Sequence, residues 1–290
     1  MSNQPATPSS TGSAAASEPL TPPERIIVAL DASPHSLSAL RAAAQLAAAM
    51  QAELHGLFVE DTRLLRLCNS PFGREIGIFT ASVRPLENVA VERQLRVMAG
   101  ELRHLLARVA AEVQVRWSFH VRRGGIEQEL LAEAADALLL SLGRASWLAR
   151  QGIGSTANTL IRQTQRPLLL LGDREELRYP LTLVYDGSPS AERALALAIR
   201  LAARSPEPLH VLLVAPANTA ADLQEALSLV LRQAEITPVI TTLETPSATA
   251  PAQRDHGQEI LDAIGKHSAI LPAAYAALLS ELQGPVLLVP

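Results

Sequence analysis

"RIIVALDASPHSLSALRAAAQLAAAMQAELHGLFV", residues 25–59, is echoed by "YPLTLVYDGSPSAERALALAIRLAARSPEPLHVLLV", residues 179–214. A constant offset of 155 pairs Asp31 with Asp186, Ser33 with Ser188, Pro34 with Pro189, His55 with His210 and Val59 with Val214. Leu40 and Leu46 likewise meet Leu195 and Leu201. Ungapped correspondence of this length marks an internal duplication. The chain reads as two copies of one domain, at residues 23–174 and 178–290.

Each copy opens on a short apolar run, Ile26–Leu30 or Leu181–Tyr185, bounded by turn residues. That pattern suits a strand buried on both faces, as parallel sheets require. Ser33 and Ser188 then stand as N-caps, with Pro34 and Pro189 at the first helical position, where a missing N–H costs nothing. Leu37, Leu40, Ala44 and Ala47 recur at helical spacing, as do Ala191, Leu195, Ala198 and Ala202. A second apolar run ends at Val59 or Val214. The rest of copy one alternates in the same way. A helix is expected over Glu87–Glu112, a strand over "VQVRWSFHV" (113–121) and a helix over Ile126–Ala134. A strand at "ALLLS" (137–141), a helix over Ser155–Thr164 and a last strand at "PLLLL" (167–171) follow. Copy two repeats the order and closes on "PVLLV" (285–289). The fold class is α/β: two tandem, doubly wound, parallel five-stranded sheet domains of Rossmann-like type.

With 48% apolar residues and a net charge of −4, the chain can build sizeable cores and lacks the clustered Lys and Arg of a nucleic-acid binder. Arg122-Arg123 reads as a solvated strand end rather than a phosphate contact. The single cysteine, Cys68, allows no internal disulfide and fits a reducing compartment. Residues 1–22 carry neither a signal peptide nor enough apolar surface to offset ordering entropy, so a disordered tail is expected. No run approaches the roughly 20 apolar residues of a membrane span. A cytoplasmic protein is the expectation, with no nucleic acid or membrane as partner.

In open α/β sheets ligands bind beyond the carboxyl ends of the strands, where the strand order reverses. Three pieces of copy one should converge there: Ala29, Leu30 and Asp31 at the end of the first strand, Val59 at the end of the second, and the loop from Ser141 to Gly154. That loop feeds a helix N-terminus, whose free N–H groups and positive dipole end attract phosphate. Ser155 and Thr156 would add hydroxyl donors.

"VALDASPHS", "VYDGSPS", "GLFVED" and "GSTANTLIRQTQRPLLLL", in order and partly duplicated, resemble the universal stress protein family from Arg25 to Pro290. The resemblance implies a small ATP-binding fold, often dimeric through its last strand, that acts in stress resistance without established chemistry. Some members bind no nucleotide. In ATP-binding members the loop after the fourth strand follows G-x2-G-x9-G-[ST]. Counting back from Gly154-Ser155 puts the earlier glycine positions at Arg144 and Ser141, with Leu140 before them. Neither is glycine, although Gly143 lies one residue away, and Arg144 is itself a candidate phosphate contact. By the same resemblance Asp31 would hold the ribose or adenine end, and the Val59 backbone would meet the adenine. The Asp31 carboxylate alone is equally a helix-capping group of the first turn.

In copy two the phosphate loop is deleted. "ILPAAYAALLSELQGPVLLV" (270–289) passes from strand to helix with no Gly-x-x-Gly and no Gly-Ser, which leaves Asp186 but nothing to hold a triphosphate. Copy two reads as a structural or dimerising partner. Copy one carries an insert that copy two lacks, "DTRLLRLCNSPFGREIGIFTASVRP" (61–85), too apolar for an idle loop. It would lid the pocket, with Arg74 near phosphate, or pack on the other domain, the reading its apolar content favours.

Other chemistries lack their residues. A phosphatase wants Asp-x-Asp, where Ser33 stands; a receiver domain wants a last-strand Lys; a P-loop wants Gly-Lys-[Ser/Thr]. The seven histidines, at 35, 55, 104, 120, 210, 256 and 267, show no metal-ligand spacing, so no metal ligand is assigned. His55 and His210 match each other at strand starts and read as structural. His35 lies too close in the chain to Asp31 and Ser33 to form a triad. The expectation is a stress-response protein, not an enzyme, that binds ATP (with Mg2+ accompanying it) in copy one and acts as a regulatory or protective factor. It would work as a homodimer or by pairing its own two domains. A nucleotide-free adaptor working through protein contacts is the alternative, and slow ATP hydrolysis or autophosphorylation at Ser155 or Thr156 a third.

Overall fold

The computed structural model describes residues 24–68, 74–76, 83–85, 88–143, 154–172, 176–245 and 256–290, without side chains from 68 to 88. The N-terminal tail, Arg144 and the tip of the insert lie outside them. Copy one runs β1 (Arg25–Ala29), α1 (Pro34–Met50), β2 (Glu53–Asp61), α2 (Thr62–Cys68) and the antiparallel pair β3 (Arg74–Ile76) and β4 (Val83–Pro85). Then come α3 (Asn88–Glu112), β5 (Trp117–Gly124), α4 (Ile126–Ala134), β6 (Leu139–Gly143), α5 (Ser155–Gln163) and β7 (Leu168–Leu171). Copy two runs β8 (Thr182–Tyr185), α6 (Pro189–Ala202), β9 (Leu209–Pro216), α7 (Ala217–Gln233) and β10 (Pro238–Thr245). It closes with α8 (Gly257–Ile264), β11 (Ala269–Pro272), a 3₁₀ helix (Ala273–Ser280) and β12 (Val286–Val289).

The strands form one ten-stranded sheet in the order β10-β9-β8-β11-β12-β7-β6-β1-β2-β5. Within this sheet every pair inside a copy is parallel, and the two copies meet where β12 runs antiparallel to β7, with Leu169 opposite Leu287. The last strands are thus used within the chain. One apolar core lies on the α1, α3 and α6 side and takes in Leu46, Leu169, Leu201 and Leu287. The other lies under α4, α5, α8 and the 3₁₀ helix and takes in Leu168, Leu170, Val286 and Leu288. Both cores cross the seam. Alternate residues of β7 and β12 feed opposite faces, as strand geometry requires. No helix among the described residues is long and apolar enough to cross a membrane.

Two strands start later than the sequence pattern implies. α3 ends in a turn with Gln114 in the left-handed region, where Val115 N–H returns to the Ala110 carbonyl, so β5 begins at Trp117 rather than Val113. Arg122 and Arg123 therefore belong to β5. There they pair with Glu133 and Glu60, the latter at 2.8 Å. Likewise Ala137 N–H still bonds the Ala134 carbonyl, so β6 begins at Leu139 and extends to Gly143. In the insert, α2 packs on its own domain: Leu65 is buried in the core shared with α3, while Leu64 and Leu67 stay exposed.

The turn after the first strand is built alike in both copies. Asp31 accepts from Ser33 N–H and Asp186 from Ser188 N–H, each at 3.0 Å. Ser33 and Ser188 in turn cap α1 and α6, accepting from Ser36 and Ala191 N–H. The residue between Asp and Ser adopts a positive φ in both, 74° at Gly187 and 60° at Ala32. An L-residue there bears about 1–2 kcal/mol that glycine avoids, partly offset by glycine's greater freedom when unfolded. Ala32→Gly is therefore expected to raise stability by about 0.5–1 kcal/mol in urea denaturation. Gly187→Ala should lower it by about 1 kcal/mol or more, since its new Cβ would also sit 3.1 Å from the Leu223 side chain.

Candidate nucleotide site

The strand order of copy one reverses between β1 and β6, whose connections leave toward opposite faces. A cavity of about 280 Å³ opens there. Its floor is Ala29 closing β1 and Leu30 after it, Leu57, Phe58 and Val59 of β2, and Leu142 and Gly143 closing β6. One wall is Ile126 and Leu130 of α4; the other is Gly154 to Ala157, the first turn of α5. Ser36 and Asp31 stand at the rim, and Asp31 is the only ionisable residue among the described lining. Its Oδ1 is held by Ser33 N–H, while Oδ2 has no partner among the described residues.

The two helix starts that face this turn differ. α1 is capped by the Ser33 side chain, whereas α5 begins at Gly154 with no side-chain cap. The leading N–H groups of α5 therefore point outward without an intrahelical partner, beside the Ser155 and Thr156 hydroxyls. Across the mouth, Thr156 Oγ1 donates to Glu127 at 3.4 Å, and Arg63 of α2 pairs with the other Glu127 oxygen at 2.7 Å. Arg63 and Glu127 were not singled out from the sequence. Nothing but the fold brings the start of α2 to the start of α4.

Ala29, Leu30, Asp31, Val59, Gly143, Gly154, Ser155 and Thr156, all expected at the site, do line this one cavity. Leu140 and Ser141 do not. β6 runs two residues further than expected, which leaves both inside the strand. Leu140 is fully buried under α4 and α5, and Ser141 turns to α1, donating to the Ala39 carbonyl at 3.0 Å. Leu142 takes the lining position instead. Arg144 lies outside the described residues. Gly143 is glycine for a packing reason: a Cβ there would meet the His35 Cβ at 2.6 Å. His35 itself bonds neither Asp31 nor Ser33 among the described residues, and its Nδ1 is buried without a partner.

The equivalent crevice of copy two is filled. β11 passes straight into the 3₁₀ helix, which drives Tyr275 under the sheet end, 2% exposed. Its hydroxyl donates to Asp186 Oδ2 at 3.2 Å, the oxygen whose counterpart on Asp31 has no partner among the described residues. Tyr185 at the end of β8 donates in turn to Glu192. Burial first, then the neighbouring carboxylate, pushes the Tyr275 hydroxyl well above its ordinary value. The histidines held one surprise. The fold brings His55 of β2 and His120 of β5 together, away from the cavity, beside Glu133 of α4.

The chain thus holds an open, doubly wound α/β domain twice, with a crevice at the switch point that stays open in copy one. The model of the "Universal stress protein family" matches residues 23–68 and 180–272, one region in each copy. A match in each copy supports a tandem, two-domain member of that family. It is similar to the crystal structure of a universal stress protein from Archaeoglobus fulgidus, at 15% identity and a TM-score of 0.67, covering 91% of this chain and 97% of the other. A putative universal stress protein from Pseudomonas aeruginosa is similar at 16% identity and a TM-score of 0.50, covering 92% and 93%. At these identities the likeness concerns the fold. No curated protein matches the sequence.

The raised Tyr275 and Tyr185 hydroxyls give a pH dependence of defined sign. A folded pKa above the unfolded value of 10 means the folded protein keeps its proton longer, so this stability is full below pH 10 and falls as pH rises beyond it. The urea midpoint should therefore drop above pH 10. The drop should be smaller in Tyr275→Phe, which no longer has that proton to lose.

Proposed function

We propose that this universal stress protein binds one adenine nucleotide, in copy one, and that copy two is a silent scaffold. A single observation carries the proposal. The open cavity at the copy-one switch point lies between a carboxylate with one oxygen unpartnered among the described residues and a helix N-terminus with no side-chain cap, whereas copy two has Tyr275 in that place. The apolar walls from Ile126, Leu130, Phe58 and Val59 suit the faces of a purine. The Asp31 carboxylate suits ribose hydroxyls, and the α5 N-terminus suits phosphate. Mg2+ would enter with the phosphates.

The lining argues for binding rather than chemistry. It offers no histidine, lysine or arginine among the described residues and no base beside a nucleophile. The adaptor alternative draws on one observation too. Ser141, at the first expected glycine position, is committed to α1 and cannot turn to a phosphate.

The test is to denature freshly purified protein, quantify released nucleotide, and titrate ATP back by calorimetry. About one adenine nucleotide per chain is expected. Asp31→Ala should weaken ATP binding at least about ten-fold, corresponding to loss of hydrogen bonds to a charged group. Tyr275→Phe should leave it unchanged. No released nucleotide and no heat on titration would overturn the proposal in favour of the adaptor.

A further inference from the structure

β2 and β5 run parallel with His55 opposite Ser118 and Leu57 opposite His120, so the two histidines stand diagonally on one face of the sheet. α4 crosses that face and brings Glu133 to them. The ligand atoms of the three lie within 4.8 Å of one another. The imidazoles meet edge to face with centroids 4.4 Å apart, and His55 Nε2 is 3.9 Å from Glu133 Oε2. The cluster sits at the amino-terminal half of β2 and the last turn of α4, away from the carboxyl ends that form the nucleotide cavity.

The hydrogen bonds fix the tautomer of His55. Ser118 Oγ donates its proton to Glu53, so it must accept from His55 Nδ1–H at 3.0 Å. Nε2 therefore presents a bare lone pair. His55 is 1% exposed, and this nitrogen has no hydrogen-bond partner among the described residues. A buried acceptor left so is costly, and here it faces a carboxylate oxygen and a second imidazole. A Lewis acid placed between the three groups would take up that lone pair.

We propose that His55 Nε2, His120 and Glu133 Oε2 bind one divalent transition-metal ion of the zinc class. Two imidazoles and a carboxylate are a ligand set of that class, and the exposed side of His120 leaves a fourth position to water. The Ser118–Glu53 relay behind His55 is the outer-shell support that metal-bound histidines have. Zinc bonds of about 2.0–2.1 Å require the ligands to close in; the partly exposed Glu133 and His120 side chains supply that movement. Arg122, bonded to Glu133 Oε1, leaves Oε2 for the ion while its charge reduces affinity. Copy two is an internal control. It keeps His210, but Thr241 stands opposite Leu212, at the register position of His120. Because α4 also walls the cavity through Ile126 and Leu130, the ion would clamp that wall to the edge strand.

The test uses untagged, chelator-stripped, full-length protein, titrated with Zn2+ by calorimetry and with Co2+ by visible absorption. One ion per chain is expected, with the intense visible bands of four-coordinate Co2+. Zn2+ should raise the melting temperature. His120→Ala and Glu133→Gln, whose side chains reach the surface and whose folding circular dichroism checks, should each weaken binding at least about ten-fold and abolish the thermal shift. Ser118→Ala should weaken it less. No binding, or binding that both variants retain, would overturn the site and mark the ion as adventitious.

Discussion

The architecture depends on one seam of eight residues. Leu168–Leu171 and Val286–Val289 pair antiparallel at the centre of the sheet, each buried on both faces. A fully buried Leu or Val contributes roughly 1.5–3 kcal/mol, and here the side chains of both strands feed two cores that each span both copies. A last strand with four apolar residues would otherwise be an exposed sheet edge open to pairing with other chains. Closing it inside the chain leaves β5 and β10 at the margins, both largely polar or half-exposed.

The antiparallel seam also explains how the two copies could diverge. Within each copy the strands run parallel, so reversing direction at the seam sends the two sets of carboxyl ends to opposite ends of the sheet. The two switch points share no wall. One could keep a cavity while the other lost its loop, without strain passing between them. The hydrogen bonds record the outcome. Asp31 and Asp186 make the same turn with the same serine, but Asp186 spends its second oxygen on Tyr275. A phenol has taken the place that a ligand would occupy.

Most of the fold was legible in the sequence because its determinants are local and occur twice: apolar runs, Ser-Pro caps and the offset of 155. The errors fell where a helix ends in turns that look apolar. Val113 and Val115 read as strand but belong to the close of α3, and Ala137 and Leu138 to the close of α4. That small shift moved Leu140 and Ser141 off the cavity, since the strand length decides which residue reaches its rim. The histidine cluster was illegible for a different reason. His55 and His120 become neighbours only through the β2–β5 register, and Glu133 only through the crossing of α4. No spacing along the chain encodes either.

The central claim is that one copy holds a nucleotide and the other holds its own tyrosine. A crystal structure grown with a non-hydrolysable ATP analogue tests it most directly. The account predicts density for the analogue between Asp31 and the start of α5, with Tyr275 still bonded to Asp186. Density in the copy-two crevice, or none in copy one at saturating ligand, would contradict it.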